Sequence, residues 1–148
     1  MTQEIVVVGA ALYDAGRLLA ARRSAPPELA GRWELPGGKV EPGELPEQAL
    51  VRELREELGV ETEALEPLPG RWPLKPGYVL HVWAARPLPG QPAPEPLEDH
   101  DELRWLGAGE IWSVDWLDQD RPAVIEAARR LPAPEEHVPA GEEWSFKG

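Results

Sequence analysis

From Glu4 to Leu12 (EIVVVGAAL) apolar residues run almost unbroken, a pattern that predicts a strand buried on both faces. Tyr13 to Gly16 reads as a turn and Arg17 to Arg23 (RLLAARR) as a second strand, so the two predict a hairpin. Ser24 to Gly31 is a loop whose Pro-Pro pair excludes helix at its start. Arg32 to Leu35 is short and extended, with Trp33 and Leu35 assigned to the core. Later, Val60 to Leu68 reads as extended, Pro76-Gly77 as a turn, and Tyr78 to Ala85 (YVLHVWAA) as a strand. Pro87 to Pro96 carries Pro at nearly every second position and predicts a loop. An acid cluster in Leu97 to Leu106 leads into a short strand, Leu103 to Leu106, where His100 is expected to be solvated among the acids. Ala108 to Ile111 predicts a helical turn and Val114 to Asp120 a loop. A final helix runs from Arg121 through Leu131, with Asp120 suited to cap it.

One stretch, Gly37 to Val60 (GGKVEPGELPEQALVRELREELGV), departs from strand-like alternation. Its Gly-Gly and Pro-Gly turns give way near Leu45 to a run of helix formers that stops at Gly59. At 100° per residue, Leu50, Val51, Leu54 and Leu58 form an apolar stripe, while Glu53, Glu56 and Glu57 fall on an adjoining face beside Ala49. Carboxylates at i, i+3 and i+4 repel one another by about 0.2–0.5 kcal/mol per exposed pair. A hard divalent cation, Mg²⁺ or Mn²⁺, offsets that repulsion, because clustered carboxylate oxygens suit it. With no Cys in the chain and no His in the stretch, structural zinc is not expected. Charge alone leaves open a plain solvated acidic face. The glycines weigh against it, because Gly37 and Gly38 allow close backbone approach to a ligand and Gly59 suits a helix C-cap.

The residues from Gly38 to Val60 match the Nudix box at every fixed position: Gly38, Glu44, Arg52-Glu53-Leu54, Glu56-Glu57, Gly59 and the aliphatic Val60. Together with WELPGGKVEPGE and PEQALVRELREELG, they make the chain resemble the MutT-type branch of the Nudix hydrolases from about Glu4 to Leu131. The resemblance implies an α/β fold, a mixed sheet sandwiched between helices, with the box helix and the C-terminal helix on opposite sides. It also implies a metal-dependent hydrolase of a nucleoside diphosphate linked to another group. The implied cation ligands are the Gly37 carbonyl, Glu53, Glu56, Glu57 and Glu98; Asp99, Asp101 and Glu102 compete with Glu98. Glu53 or Glu98 would accept the proton of the attacking water. Glu44 reinforces the loop or binds a second cation, Arg52 orients a box glutamate, and Gly38 and Gly59 are structural.

Substrate candidates on the same resemblance are Arg23, Lys39, Tyr78 and Asp120. MutT-type enzymes read the base with the residue just before the last helix. An ionised Asp120 accepts hydrogen bonds only, so it favours a base edge presenting an amine, as cytosine does at N4 and guanine at N1 and N2. The leading expectation is a Mg²⁺-dependent nucleoside triphosphate pyrophosphohydrolase that yields a monophosphate and pyrophosphate and favours dCTP, CTP or 5-methyl-dCTP. An 8-oxo-dGTP sanitation hydrolase is one alternative. An ADP-ribose or dinucleoside polyphosphate hydrolase is another, through Pro76 and Tyr78. A non-catalytic nucleotide-sensing module is the rival of a different class, and it is disfavoured because all box acids are kept.

Length and charge set the remaining expectations. The 148 residues, 42% hydrophobic with seven Trp, suit one packed domain over 1–131, followed by a Pro- and Glu-rich, flexible tail at 132–148. A formal charge of −12 argues against a nucleic-acid polymer or an anionic membrane as partner. A small anion remains possible where Arg22, Arg23, Arg32 and Lys39 offset the field. The lack of Cys, of a leader and of a membrane-length apolar run makes cytoplasm the expected compartment, for a monomer or homodimer.

Overall fold

The computed structural model describes residues 4–133, so nearly all of the expected tail, including Trp144 and Phe146, lies outside the described residues. Eight strands and two α-helices follow one another, with 3-10 turns at Ala108–Ser113 and Asp118–Asp120: β1 (Ile5–Asp14), β2 (Arg17–Arg23), β3 (Trp33–Glu34), β4 (Gly37–Lys39), α1 (Pro46–Leu58), β5 (Thr62–Pro67), β6 (Trp72–Pro73), β7 (Tyr78–Pro87), β8 (His100–Leu106) and α2 (Arg121–Ala128). They build one mixed sheet in the order β3-β2-β1-β7-β5, with β4 on β1, β6 on β7 and β8 on β2. The β1–β7 pairing is parallel; β2, β4, β5, β6 and β8 pair antiparallel.

The expected hairpin is only partly formed. β1 and β2 pair at Tyr13↔Leu18 and Asp14↔Arg17 and then separate. Beyond the turn, β1 takes β7 and β4 as neighbours while β2 takes β8 and β3. The splayed strands leave a cleft between the two halves of the sheet, and β4 enters it.

Alternation along the central strands divides the interior into two cores. Val8, Ala10 and Leu12 of β1 pack with Leu19, Ala85 and the α1 residues Ala49, Leu50, Leu54 and Leu58. On the other face Ala11, Leu18, Ala20, Leu80, Val82 and Ala84 pack with Trp33, Trp116 and the α2 residues Ala123, Val124 and Ala127. The two helices therefore cover opposite faces of the sheet. Ala49, not Val51, completes the buried stripe of α1, since Val51 is half-buried at the rim. Each fully buried leucine of that stripe contributes about 1.5–3 kcal/mol of transfer free energy.

Local signals also set the helix ends. The Gln48 side chain accepts a 2.8 Å hydrogen bond from the Leu45 amide, and Gly59, at φ 72°, closes α1 with its amide donating to the Arg55 carbonyl. α2 stops at Ala128, short of the expected Leu131. The amides of Arg129, Arg130 and Leu131 donate three residues back, so the last turn tightens ahead of Pro132. β8 begins at His100, earlier than expected, because Arg22 and Arg104 hold its acids: Arg22 pairs with Asp101 at 2.7 Å and Glu102 at 3.0 Å, and Arg104 with Glu102 at 2.9 Å. Among the described residues no helix is long and apolar enough to cross a membrane.

Candidate active site

β4 enters the splay of the sheet with Gly37 opposite Gly9 and Gly38 opposite Val8. A Cβ on Gly37 would collide with the Val8 carbonyl, and one on Gly38 would occupy the position of the Glu53 carboxylate. Only glycine lets the strand and the acidic face of α1 close on each other here. The Gly37 amide then donates a 3.0 Å hydrogen bond to Glu57 Oε1.

Arg52 organises the other side of the box. Its Nε and Nη2 grip both oxygens of Glu44 at 2.8 and 3.0 Å, Nη1 holds Glu53 Oε1 at 2.7 Å, and Nη2 also reaches the Lys39 carbonyl at 3.0 Å. Glu44 in turn accepts the Glu41 amide at 3.0 Å. One guanidinium thus ties the loop, the strand and the helix together. Its hydrogen bonds hold the Glu44 carboxyl down at about 2, well below its usual range.

The three box acids differ in environment. Burial pushes the Glu57 carboxyl up to about 8, against the opposing pull of the His100 charge and the Gly37 amide. Burial also raises Glu53, with Arg52 opposing. Glu56 is largely exposed and lies 3.7 Å from Arg52. Glu53 and Glu57 are withheld from water and close to one another, Glu53 with Arg52 as counter-charge and Glu57 with no ion-pair partner among the described residues, and an all-oxygen donor set of this kind fits a hard divalent cation. They do not form a closed cage: among the described residues no three acidic or histidine side chains converge as ligands.

A cleft of about 370 Å³ opens beside this box, lined by Arg23, Glu34, Gly37, Gly38, Lys39, Lys75, Tyr78 and Gln119, together with Val7 and Leu74. It gathers three of the four substrate candidates, Arg23, Lys39 and Tyr78. Arg23 is not free: its Nη1 binds Glu34 Oε2 at 2.9 Å and its Nε donates to the Ala25 carbonyl at 2.9 Å. Arg22 and Arg32 stay out of the cleft, Arg22 on the β8 acids and Arg32 on Asp115 at 2.9 Å and the Trp116 carbonyl at 2.6 Å.

Two expectations for the surrounding loops need correction. His100 is buried, not solvated; its Nε2 lies 2.8 Å from the same Glu34 oxygen that holds Arg23, and its Nδ1 has no partner among the described residues. Asp120 does not cap α2. Its Oδ2 accepts the Leu35 amide at 2.8 Å, and burial raises its carboxyl to about 7. Asp120 is buried and is not among the residues that line the cleft, whereas its neighbour Gln119 is. Glu98 is exposed at φ 55° on a loop docked to the end of α1 through Leu97 N to Glu57 O and Glu95 N to Leu58 O, both 3.0 Å. No side-chain contact joins it to the box acids among the described residues. Its rivals are engaged elsewhere, Asp101 and Glu102 by Arg22 and Asp99 by Arg23 at 3.9 Å.

The sequence reading missed Glu34, Lys75 and Gln119. Glu34 had one signal: it alternates between two buried residues, Trp33 and Leu35, so its side chain must leave that core.

The NUDIX domain family matches residues 4–130. A protein of Mycobacterium tuberculosis named "Putative 8-oxo-dGTP diphosphatase 2" is 42% identical over 134 residues, 88% of this chain and 92% of its own. The CTP pyrophosphohydrolase of Escherichia coli K12 is 37% identical over 129 residues, covering 87% of this chain and 94% of its own. Among solved structures, the E. coli ORF135 protein superimposes with a TM-score of 0.71 at 35% identity, covering 90% of this chain and 96% of that one. A MutT NUDIX hydrolase from Burkholderia pseudomallei does so at 0.70 and 31% identity, covering 84% and 98%.

Proposed function

The chain belongs to the Nudix family as a MutT-type hydrolase of phosphoric anhydride bonds, and from that premise we propose that it cleaves nucleoside triphosphates to monophosphate and pyrophosphate with a preference for cytidine nucleotides. Nudix hydrolases use a divalent cation, usually Mg²⁺. Here Glu53, Glu56 and Glu57, with the Gly37 carbonyl, would hold it, and Glu98 would be the outer-loop ligand, its neighbouring acids being engaged by arginines. When bound, the cation neutralises phosphate oxygens and lowers the pKa of a coordinated water.

The chain's own residues do the rest. Arg52 fixes Glu53, the Gly37 amide fixes Glu57, and Glu44 braces the loop between them. Lys39 supplies charge to the phosphates, and Arg23, held by Glu34 and the Ala25 carbonyl, lines the same cleft. Glu53 or Glu98 takes the proton that water loses as oxygen bonds to phosphorus and the pyrophosphate group departs.

One observation carries the cytidine preference: Asp120 offers a carboxylate fixed by the Leu35 amide through one oxygen, while the other has no hydrogen-bond partner among the described residues. An ionised oxygen there accepts the N4 amine of cytosine. Oxidised guanine triphosphate is the second reading, favoured by the mycobacterial relative's name and by the guanine N1 and N2 donors. The test is pyrophosphate release with Mg²⁺ from CTP, dCTP, 5-methyl-dCTP, 8-oxo-dGTP, dGTP, ATP, ADP-ribose and diadenosine tetraphosphate, compared by kcat/KM. A lead for 8-oxo-dGTP would replace the cytidine assignment. Cleavage of only the last two would leave the box chemistry standing and remove the triphosphate assignment.

A further inference from the structure

The turn between β6 and β7 brings a second ammonium into the cleft. Pro76 and Gly77 occupy its centre, Gly77 at φ 84°, and the Tyr78 amide donates to the Lys75 carbonyl at 2.8 Å. The turn sets Lys75 against the first residue of β7. Its Nζ lies 4.4 Å from the centroid of the Tyr78 ring, while Lys39 Nζ approaches the same ring at 5.4 Å from β4. Among the described residues neither ammonium has a carboxylate partner. Arg23, the third cation of the cleft, is committed to Glu34 and Ala25. Two unpaired ammoniums thus meet on one aromatic ring at the wall of a cleft of about 370 Å³, in a chain of net charge −12 that is rich in carboxylates. The ring's quadrupole favours each ammonium singly, but it leaves their mutual repulsion uncompensated until an anion enters.

We propose that Lys75 acts with Lys39 at the Tyr78 ring as a specificity-determining residue that grips the phosphate chain of the substrate, so that the cleft selects nucleotides by their number of phosphates. This rests on the reading of the cleft as a nucleotide site and assigns one of its walls. An ammonium pair adds attraction with each further phosphate, whereas a base contact would act equally on mono- and triphosphate. Pro76 and Gly77 serve to place Lys75.

The experiment compares wild type with Lys75→Met, which keeps an unbranched apolar stem on the ring, and with Lys75→Arg, which keeps the charge. Calorimetry would give Kd for inorganic tripolyphosphate, α,β-methylene-CTP and CMP, and steady-state kinetics would give kcat and KM for CTP. Lys75→Met is expected to weaken both triphosphates about tenfold, from loss of a charge-assisted contact. CMP should change by less than about threefold, KM should rise in step with Kd while kcat holds, and Lys75→Arg should restore most of the binding. Unchanged triphosphate binding in Lys75→Met, or an equal loss for CMP, would overturn the proposal. Because binding is read without turnover, loss of tripolyphosphate binding in a protein that cleaves no triphosphate would sink the proposed reaction and leave this site standing.

Discussion

Arg52 grips Glu44 through two parallel hydrogen bonds, Nε to Oε2 at 2.8 Å and Nη2 to Oε1 at 3.0 Å, eight residues apart and across the loop-to-helix junction. The same guanidinium holds Glu53, so the loop and the acid share one brace. Lysine keeps the charge but not the fork. Arg52→Lys is expected to lower kcat by about 10- to 100-fold, because a carboxylate misplaced by about 1 Å costs that much. It should also raise the Mg²⁺ concentration needed for half-maximal activity. A variant with kcat and Mg²⁺ dependence unchanged would show that the brace does not position Glu53.

Glu57 is the most deeply buried of the box acids, with only the Gly37 amide bound to its carboxylate among the described residues. Glu57→Gln retains the oxygen that accepts this hydrogen bond and loses the charge. Turnover is expected to fall by about 10³-fold or more, while the thermal midpoint of the metal-free protein does not drop, since a neutral amide carries less desolvation cost than a carboxylate. Chelation of divalent cations should abolish wild-type activity and be reversed by Mg²⁺. Retention of most activity by the variant would remove Glu57 from the cation site.

Gly38→Ala separates activity from stability. The added methyl would stand where the Glu53 carboxylate lies, and that carboxylate is the far end of a flexible side chain that can swing away. The variant is therefore expected to fold, with a thermal midpoint within a few degrees of wild type, and to lose about 100-fold or more in kcat. An active Gly38→Ala protein would mean that the observed Glu53 position is not the working one.

Asp120 makes a prediction about pH. Burial lifts its carboxyl from the usual 3.8 to about 7, so between these values the folded protein holds a proton that the unfolded chain has released. The group's contribution to stability is greatest below pH 3.8 and declines as pH rises through about 7. Asp120→Asn should lack that decline, so its thermal midpoint should gain on wild type between pH 5 and pH 8. The cytidine preference should move the opposite way in wild type, strengthening as pH rises through about 7 and the carboxylate ionises. Because the Leu35 amide claims the acceptor oxygen, Asn at 120 turns its NH₂ toward the base. Asp120→Asn should then cost CTP about 10- to 100-fold in kcat/KM relative to a purine bearing O6. A base preference unaffected by pH and by this substitution would remove Asp120 from base reading.

Local chemistry was enough for some of this. The spacing of Leu50, Leu54 and Leu58, the turn residues around Gly43 and the cap at Gly59 specify a loop and helix wherever that segment is placed, and the box acids follow from the helical period. The near-continuous apolar run of Glu4 to Leu12 likewise marked a central strand, and its two-residue period divided the interior into two cores. Asp120 and His100 were misplaced for a common reason. Each was read from its sequence neighbours, a following helix for Asp120 and flanking acids for His100, while its actual partner stands far along the chain: Leu35 is 85 residues from Asp120 and Glu34 is 66 residues from His100.

What the sequence determined by itself is therefore what depends on short range: the elements, the buried faces, the glycines and the acids that mark the box. The tertiary structure alone decided which charges are spent and which remain. It took Arg22 and Arg32 out of the site, tied Arg23 and His100 to Glu34, engaged the acids around Glu98, and left Lys39 and Lys75 together on Tyr78. The physical reason is range. Backbone preference and periodicity act over a few residues, whereas an ion pair or a desolvated carboxylate is set by whatever the fold brings within a few ångströms, and no pattern in the chain states that distance.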